Sequence, residues 1–240
     1  GALSLSDRRA RAERFVELLL WREALGELDF IGDDNLAPIK YLRDFWLGET
    51  LFKMRRRYAY AGELLLRTYE HLDSSQRPRA LFHGARALSR AQRDSEAIVH
   101  YREVVKKYPR TRWADEAQYL SGWLEVNRGR LAEGLPDLKR HQALYPSSPF
   151  AAETRWLIAF SHYLLGEYAT ALPLLSALAQ KGGELEGGQG QYWKANTLAK
   201  LGRTDEALRE WRGLVGRFPL SWYSMLARAR LAESRVIVSP

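Results

Sequence analysis

Cysteine is absent from this 240-residue chain. Disulfides and thiolate metal sites are therefore excluded, and cysteine usage says nothing about compartment. Valine, isoleucine and threonine are sparse, which argues against sheets. Alanine, leucine, arginine and glutamate dominate instead, and all four favour helices. Long apolar runs are missing too. The longest, Trp156 to Ala179, is interrupted by Glu167 and Pro173 and reads as two helices rather than a transmembrane span. No signal peptide opens the chain, and Gly1 reads as a remnant of tag cleavage, which leaves room for a leader upstream.

Signatures of catalysis are equally scarce. His71, His83, His100, His141 and His162 form no zinc-protease pair. No Gly-Lys-Ser/Thr phosphate loop occurs. The stretch GGQG at 187–190 follows no strand, so it is not a dinucleotide fingerprint. There is no Gly-x-Ser-x-Gly element. The carboxylate pairs Asp33–Asp34 and Asp115–Glu116 sit at turns or helix starts, where they complement the helix dipole. No catalytic residue, metal or cofactor is expected.

The net charge of +8 suits an anionic partner. Yet basic and acidic residues alternate along the whole chain, as on solvated helix faces. The tightest cluster, Lys53 to Arg57, is either a local anion site or a polar helix end.

What the chain does contain is a repeat. YPRTRW at 108–113, YPSSPF at 145–150 and FPLSWY at 218–223 share one pattern: aromatic, Pro, any residue, Ser or Thr, any residue, aromatic. Proline stops the upstream helix. Thr111, Ser148 and Ser221 then stand where the next helix needs a cap. The spacings are 37 and 73 residues, with the missing member near Gly183, where KGG stops the helix instead. A second series places Gly129, Gly166 and Gly202 in turns, each followed five residues later by a small residue, Gly134, Ala171 and Ala207. Gln92 with Ala97 keeps that spacing, and the segment around Ala61 fits more loosely. Glycine lets the chain reverse, and the small residue lets two antiparallel helices approach. Pro136 and Pro173 follow the small residue inside two second helices, which predicts either a late helix start or a kink.

This pattern resembles the tetratricopeptide repeat, a helix-turn-helix unit of about 34 residues. The period here is 36–37. The resemblance implies an all-α fold: a right-handed α-α superhelix of about six tetratricopeptide-like hairpins in one domain, residues 1–240. A degenerate unit covers 7–40, repeats cover 41–219, and a final helix covers 221–234. The stretch KGGELEGGQG at 181–190 reads as a long inter-repeat loop.

Aromatic residues recur once per repeat: Trp46, Phe82, Tyr119, Trp156 and Tyr192. Trp123 and Phe160 lie one turn further on. The resemblance puts this position on the concave groove, where rings would stack on sugars, peptides or bases. Arg86, with Arg43, Lys53 and Arg90, would share that face. The competing reading packs the rings between neighbouring helices, since a one-residue shift turns a side chain by about 100°.

Residues 190–231 resemble something more specific. Tyr192-Trp193, Ala195, Leu198, Gly202, Glu206-Ala207, Phe218-Pro219-Leu220-Ser221-Trp222-Tyr223 and Leu226-Ala227 look like the last hairpin before the catalytic domain of soluble lytic murein transglycosylases. That family uses a Glu-Ser pair followed by a Gly-Leu-Met-Gln-type stretch. Glu233-Ser234 lacks the downstream motif, so catalysis is not carried over. The resemblance implies a periplasmic, non-catalytic scaffold that guides a peptidoglycan glycan strand or docks partner proteins. The alternative is a free-standing repeat adaptor binding protein or peptide. A sequence-specific RNA reader is disfavoured, because fixed polar base-reading pairs are absent.

Overall fold

The structure is a computed structural model that describes residues 3–31, 39–181, 183 and 187–238. Asp33–Asp34 and part of the 181–190 loop lie outside the described residues. Among the described residues the regular elements are helical. They run in chain order as α1 (Leu5–Glu17), α2 (Trp21–Ile31), α3 (Ile39–Lys53), α4 (Tyr58–Thr68), α5 (Arg77–Arg90), α6 (Asp94–Lys107) and α7 (Arg112–Asn127). Then follow α8 (Leu131–Leu144), α9 (Ala151–Leu164), α10 (Tyr168–Ala179), α11 (Gln189–Lys200), α12 (Thr204–Arg217) and α13 (Trp222–Val238). The chain divides into two compact units, Gly1–Leu124 and Glu125–Pro240, with the boundary inside α7. In the first unit α1 pairs with α2, α3 with α4 and α5 with α6. In the second, α9 pairs with α10, α11 with α12, and α13 packs on α12.

One turn geometry recurs down the chain. Leu19, Arg55, Gln92, Gly129, Gly166 and Gly202 all have φ between 58° and 77°. In each case the next residue's amide donates to a carbonyl five residues back, from Leu20 to Phe15 through Arg203 to Leu198. This is the left-handed helix stop that glycine adopts at least cost. The expected series of Gln92, Gly129, Gly166 and Gly202 therefore extends to Arg55 and Leu19. The small residues five positions on, Ala24, Ala97, Ala171 and Ala207, and Ala61 six positions after Arg55, are fully buried. They permit the close approach within each hairpin.

The capping residues differ from one another. Ser221 Oγ accepts from the Ser224 amide at 3.1 Å, as an N-cap should. Ser148 Oγ accepts instead from the Phe150 amide, two residues on, because α9 starts only at Ala151. The Thr111 hydroxyl turns back and donates to the Tyr108 carbonyl at 2.8 Å. Pro136 and Pro173 lie inside α8 and α10, each the sixth residue of its helix, so neither helix starts late.

Helices within a unit approach closely where glycine sits. A Cβ on Gly84 of α5 would stand 2.8 Å from Leu66 of α4. One on Gly190 of α11 would stand 2.6 Å from the Ala179 amide nitrogen of α10. The core around these contacts is aliphatic and aromatic: Leu28, Phe45, Leu64, Leu65, Leu81, Phe82 and Tyr101 in the first unit, Leu138, Leu175, Leu198 and Leu214 in the second. Each such side chain contributes about 1.5–3 kcal/mol when buried.

A buried carboxylate bridges two helices of the first unit. Glu49 of α3 is inaccessible to solvent. It accepts from Arg79 Nε at 3.0 Å and contacts His83 Nδ1 at 2.5 Å, both on α5. Burial alone would raise its pKa. The facing His83 and Arg79 outweigh burial and hold it below the ordinary glutamate value.

Candidate functional site: an aromatic face on the second unit

The once-per-repeat aromatics occupy two kinds of place. In the first unit, Trp46, Phe82 and Tyr119 are buried. Phe82 packs among His83, Tyr101 and Trp113, and Trp46 against Phe45. Trp123 is partly exposed. The arginines grouped with them do not share one free face. Arg43 is buried and bonded to Asp44 and to the Leu28 carbonyl, and Arg86 pairs with Glu116. Their charge is used inside the unit.

In the second unit Tyr192 is buried, whereas Trp156 and Phe160 are half-buried and stack on each other, 4.8 Å apart at 15°. They belong to a larger cluster. Trp156, Phe160 and Tyr163 lie four and three residues apart, which puts them on one stripe of α9. Trp193 of α11 meets all three, at 6.4, 4.7 and 4.9 Å between centroids. Tyr168, at the start of α10, closes edge-on against Tyr163 at 5.5 Å. Tyr192 continues the row to Tyr223 of α13. Trp156, Phe160, Tyr163, Tyr168 and Trp193 are all half-buried. Each is partly covered by the unit and partly open to solvent.

The local sequence explains this placement. The inward side of α9 carries Thr154, Leu157, Ile158, Ala159 and Ser161, all buried. Beneath the aromatic row lies the cluster of Ala159, Ala171, Leu175 and Leu178. Small residues there let the large rings lie across the helix surface instead of sinking into it.

The face is neutral. Burial pushes the Tyr163 hydroxyl above its ordinary pKa, and the nearby Tyr168 adds to the shift. Burial does the same to Tyr223. Neither hydroxyl ionises at physiological pH, so both remain donors. Arg230 of α13 bonds to Tyr192 and to Glu233, 3.0 Å away, and stands at the edge of the row as a fixed cation. Such a surface can stack on flat or apolar groups and hydrogen-bond at its margin. Among the described residues no cluster of His, Asp or Glu is arranged to hold a metal ion. No described helix is long and apolar enough to cross a membrane. A cleft of about 560 Å³ elsewhere in the unit is lined by Gln142, Ile158, Leu174, Leu178 and Lys181 among others, without an aromatic ring.

Sequence reasoning named Trp156, Phe160 and Tyr192 but missed Tyr163, Tyr168 and Trp193. Tyr163 carried a signal, since it stands seven residues from Trp156 on the same stripe. Trp193 sits one residue from the periodic position, and that rotation brings it to the open side while Tyr192 turns inward.

Residues 79–111 and 189–221 match the profile of the tetratricopeptide repeat family. The two segments are the α5–α6 and α11–α12 hairpins, each carried through to the Thr111 or Ser221 that follows its aromatic-Pro stop. The chain has a tetratricopeptide-like, all-α repeat fold. Solved structures agree. The C-terminal part of a tetratricopeptide repeat-containing protein from Cytophaga hutchinsonii aligns with a TM-score of 0.64 at 12% identity, covering 87% of this chain and 78% of that one. PilF from Pseudomonas aeruginosa aligns at 0.54 and 15% identity, over 94% of this chain and 97% of that one. YrrB, described as a tetratricopeptide protein with an unusual peptide-binding site, aligns at 0.58 and 15%, over 78% and 91%. At such identities the likeness shows the tetratricopeptide-like fold alone. No curated protein matches the chain.

Proposed function

We propose that this chain is a non-catalytic tetratricopeptide-like module that binds an extended segment of a protein partner across the aromatic face of its second unit. The observation that carries this reading is the continuous half-open row of Trp156, Phe160, Tyr163 and Trp193. Half-buried aromatic side chains are typical binding anchors, because they supply large contact area with little conformational freedom to lose. The description of YrrB as peptide-binding agrees with this use of the fold.

A second reading is the scaffold of a periplasmic lytic murein transglycosylase, with a glycan strand on the same face. Its support is the near-parallel Trp156–Phe160 pair, since flat stacked rings suit sugar faces, together with the pattern at 190–231. Most of that pattern falls inside the matched repeat 189–221. The repeat therefore accounts for it without a glycan, and the peptide reading is preferred.

Photo-crosslinking from position 160 tests both. Crosslinks to a defined peptide segment, lost on adding Trp193→Ala, support the first reading. Crosslinks to peptidoglycan fragments support the second. Crosslinks that persist unchanged in the Trp193 variant, or none to either class, would overturn the assignment of this face.

A further inference from the structure

The first unit carries a different surface at its hairpin tips. Leu18, Leu19 and Leu20, at the α1–α2 turn, are 52%, 67% and 41% exposed. Lys53, Arg55, Arg56 and Arg57, at the α3–α4 turn, are exposed as well. These two tips lie at the same end of the unit. Arg43, early in α3, reaches the Leu28 carbonyl late in α2, so the two helices run antiparallel. The start of α2 and the end of α3 therefore share an end. A cleft of about 470 Å³ opens beside the second tip, lined by Leu25 of α2, by Leu47 and Leu51 of α3, and by Arg56, Arg57 and Tyr60. Asp29 also lines it, at its deeper end along α2.

Two features mark these tips as more than solvated helix ends. None of Lys53, Arg55, Arg56 and Arg57 forms an ion pair with a described carboxylate, although Arg14, Arg67, Arg79, Arg86 and Arg93 in the same unit all do. Arg57 lies over the Tyr60 ring at 4.4 Å. Secondly, the strained turn position is not glycine here. The equivalent residue is Gly129, Gly166 or Gly202 in the second unit, but Leu19, Arg55 and Gln92 in the first, at φ 61°, 58° and 64°. At these two tips the first unit thus holds an apolar and a cationic side chain against the backbone preference.

We propose that this end of the first unit docks on an anionic lipid bilayer surface, with the Leu18–Leu20 tip entering the interfacial layer and the Lys53–Arg57 tip meeting the headgroups. Charge complementarity and projection favour a bilayer over a protein groove. Leucines at a protruding turn reach outward rather than line a cavity, and a neighbouring cluster of cations that pair with no described carboxylate supplies attraction to anionic lipid. This surface is separate from the aromatic face, and its failure would leave that reading untouched.

The test is co-sedimentation of the full chain with phosphatidylcholine vesicles, with and without phosphatidylglycerol. The bound fraction should rise roughly tenfold with the anionic lipid and fall with added salt. Arg55→Glu with Arg56→Glu, both exposed, should abolish the gain. Because the chain has no cysteine, Leu19→Cys accepts a single environment-sensitive dye, whose emission should brighten on anionic vesicles. Three results would overturn the proposal: equal sedimentation with both vesicle types, no effect of the charge reversal, or an unchanged dye during sedimentation. Retention on an acidic amphipathic peptide without vesicle binding would overturn it in favour of a protein surface.

Discussion

The indole of Trp193 on α11 meets the ring of Phe160 on α9 edge-on, 4.7 Å between centroids at 64°. That contact joins consecutive hairpins and also holds the aromatic row half-open. Trp193→Ala should therefore cost stability, about 1–3 kcal/mol, less than a fully buried tryptophan. Trp193→Phe should recover most of it. Chemical denaturation of the two variants checks this, and a loss under about 0.5 kcal/mol for the alanine variant would mean the ring is not packed as described.

The approach of α11 to α10 at Gly190 gives a sharper contrast. An added Cβ would meet the backbone, 2.6 Å from Ala179 N and 2.7 Å from Leu178 C, and a backbone cannot yield as a side-chain tip can. Gly190→Ala should destabilise by about 2–3 kcal/mol. Gly216 lies in α12, and a methyl group added there would have nothing within 4 Å. Gly216→Ala should stabilise by about 0.5–1 kcal/mol, from helix propensity and reduced freedom of the unfolded chain. Thermal melts of the pair should shift in opposite directions.

The left-handed turn positions behave in the reverse sense. Gln92 sits at φ 64° where the second unit uses glycine. Gln92→Gly should stabilise by about 0.5–1 kcal/mol, and Gly166→Ala, at φ 77°, should destabilise by about 1 kcal/mol or more. Equal melting temperatures for the parent and both variants would contradict the shared geometry.

The Glu49 cluster makes stability depend on pH. Burial would raise the Glu49 pKa, but His83 and Arg79 lower it below the ordinary glutamate value. A depressed folded-state pKa contributes stability that is present above the unfolded value. It is lost as pH falls from the ordinary glutamate range toward the lower native one. Glu49→Gln should remove this acid-side dependence and destabilise the protein near neutrality by about 2–4 kcal/mol, because Arg79 and His83 then face a neutral amide. Denaturation midpoints followed from neutral to acid pH should converge for the parent and the variant.

The hairpin architecture was legible because the turn chemistry repeats. Gly129, Gly166 and Gly202 mark the reversals, and Tyr-Pro or Phe-Pro marks the stops. The two earliest turns were less legible, because Leu19 and Arg55 adopt the same backbone without being glycine. The buried alanine that follows, Ala24 five residues after Leu19 and Ala61 six after Arg55, was the remaining signal. The aromatic period located Trp156 and Phe160 on the right helix. Whether a ring is open or buried depends on helix rotation and on the volume beneath it. At Phe82 the space between α5, α6 and α7 accepts the ring among His83, Tyr101 and Trp113. Above Ala159 and Ala171 the rings stay on the surface. Single positions in a sequence do not encode that difference in volume.

The most direct test of the aromatic face is a paired calorimetric titration of the parent and Phe160→Ala with the peptide segment identified by crosslinking. The account predicts that Phe160→Ala weakens binding by about ten- to hundredfold, as expected when a central anchor is truncated, while the helical content is unchanged. Equal affinity for the two proteins would contradict it and remove the aromatic face as the binding surface.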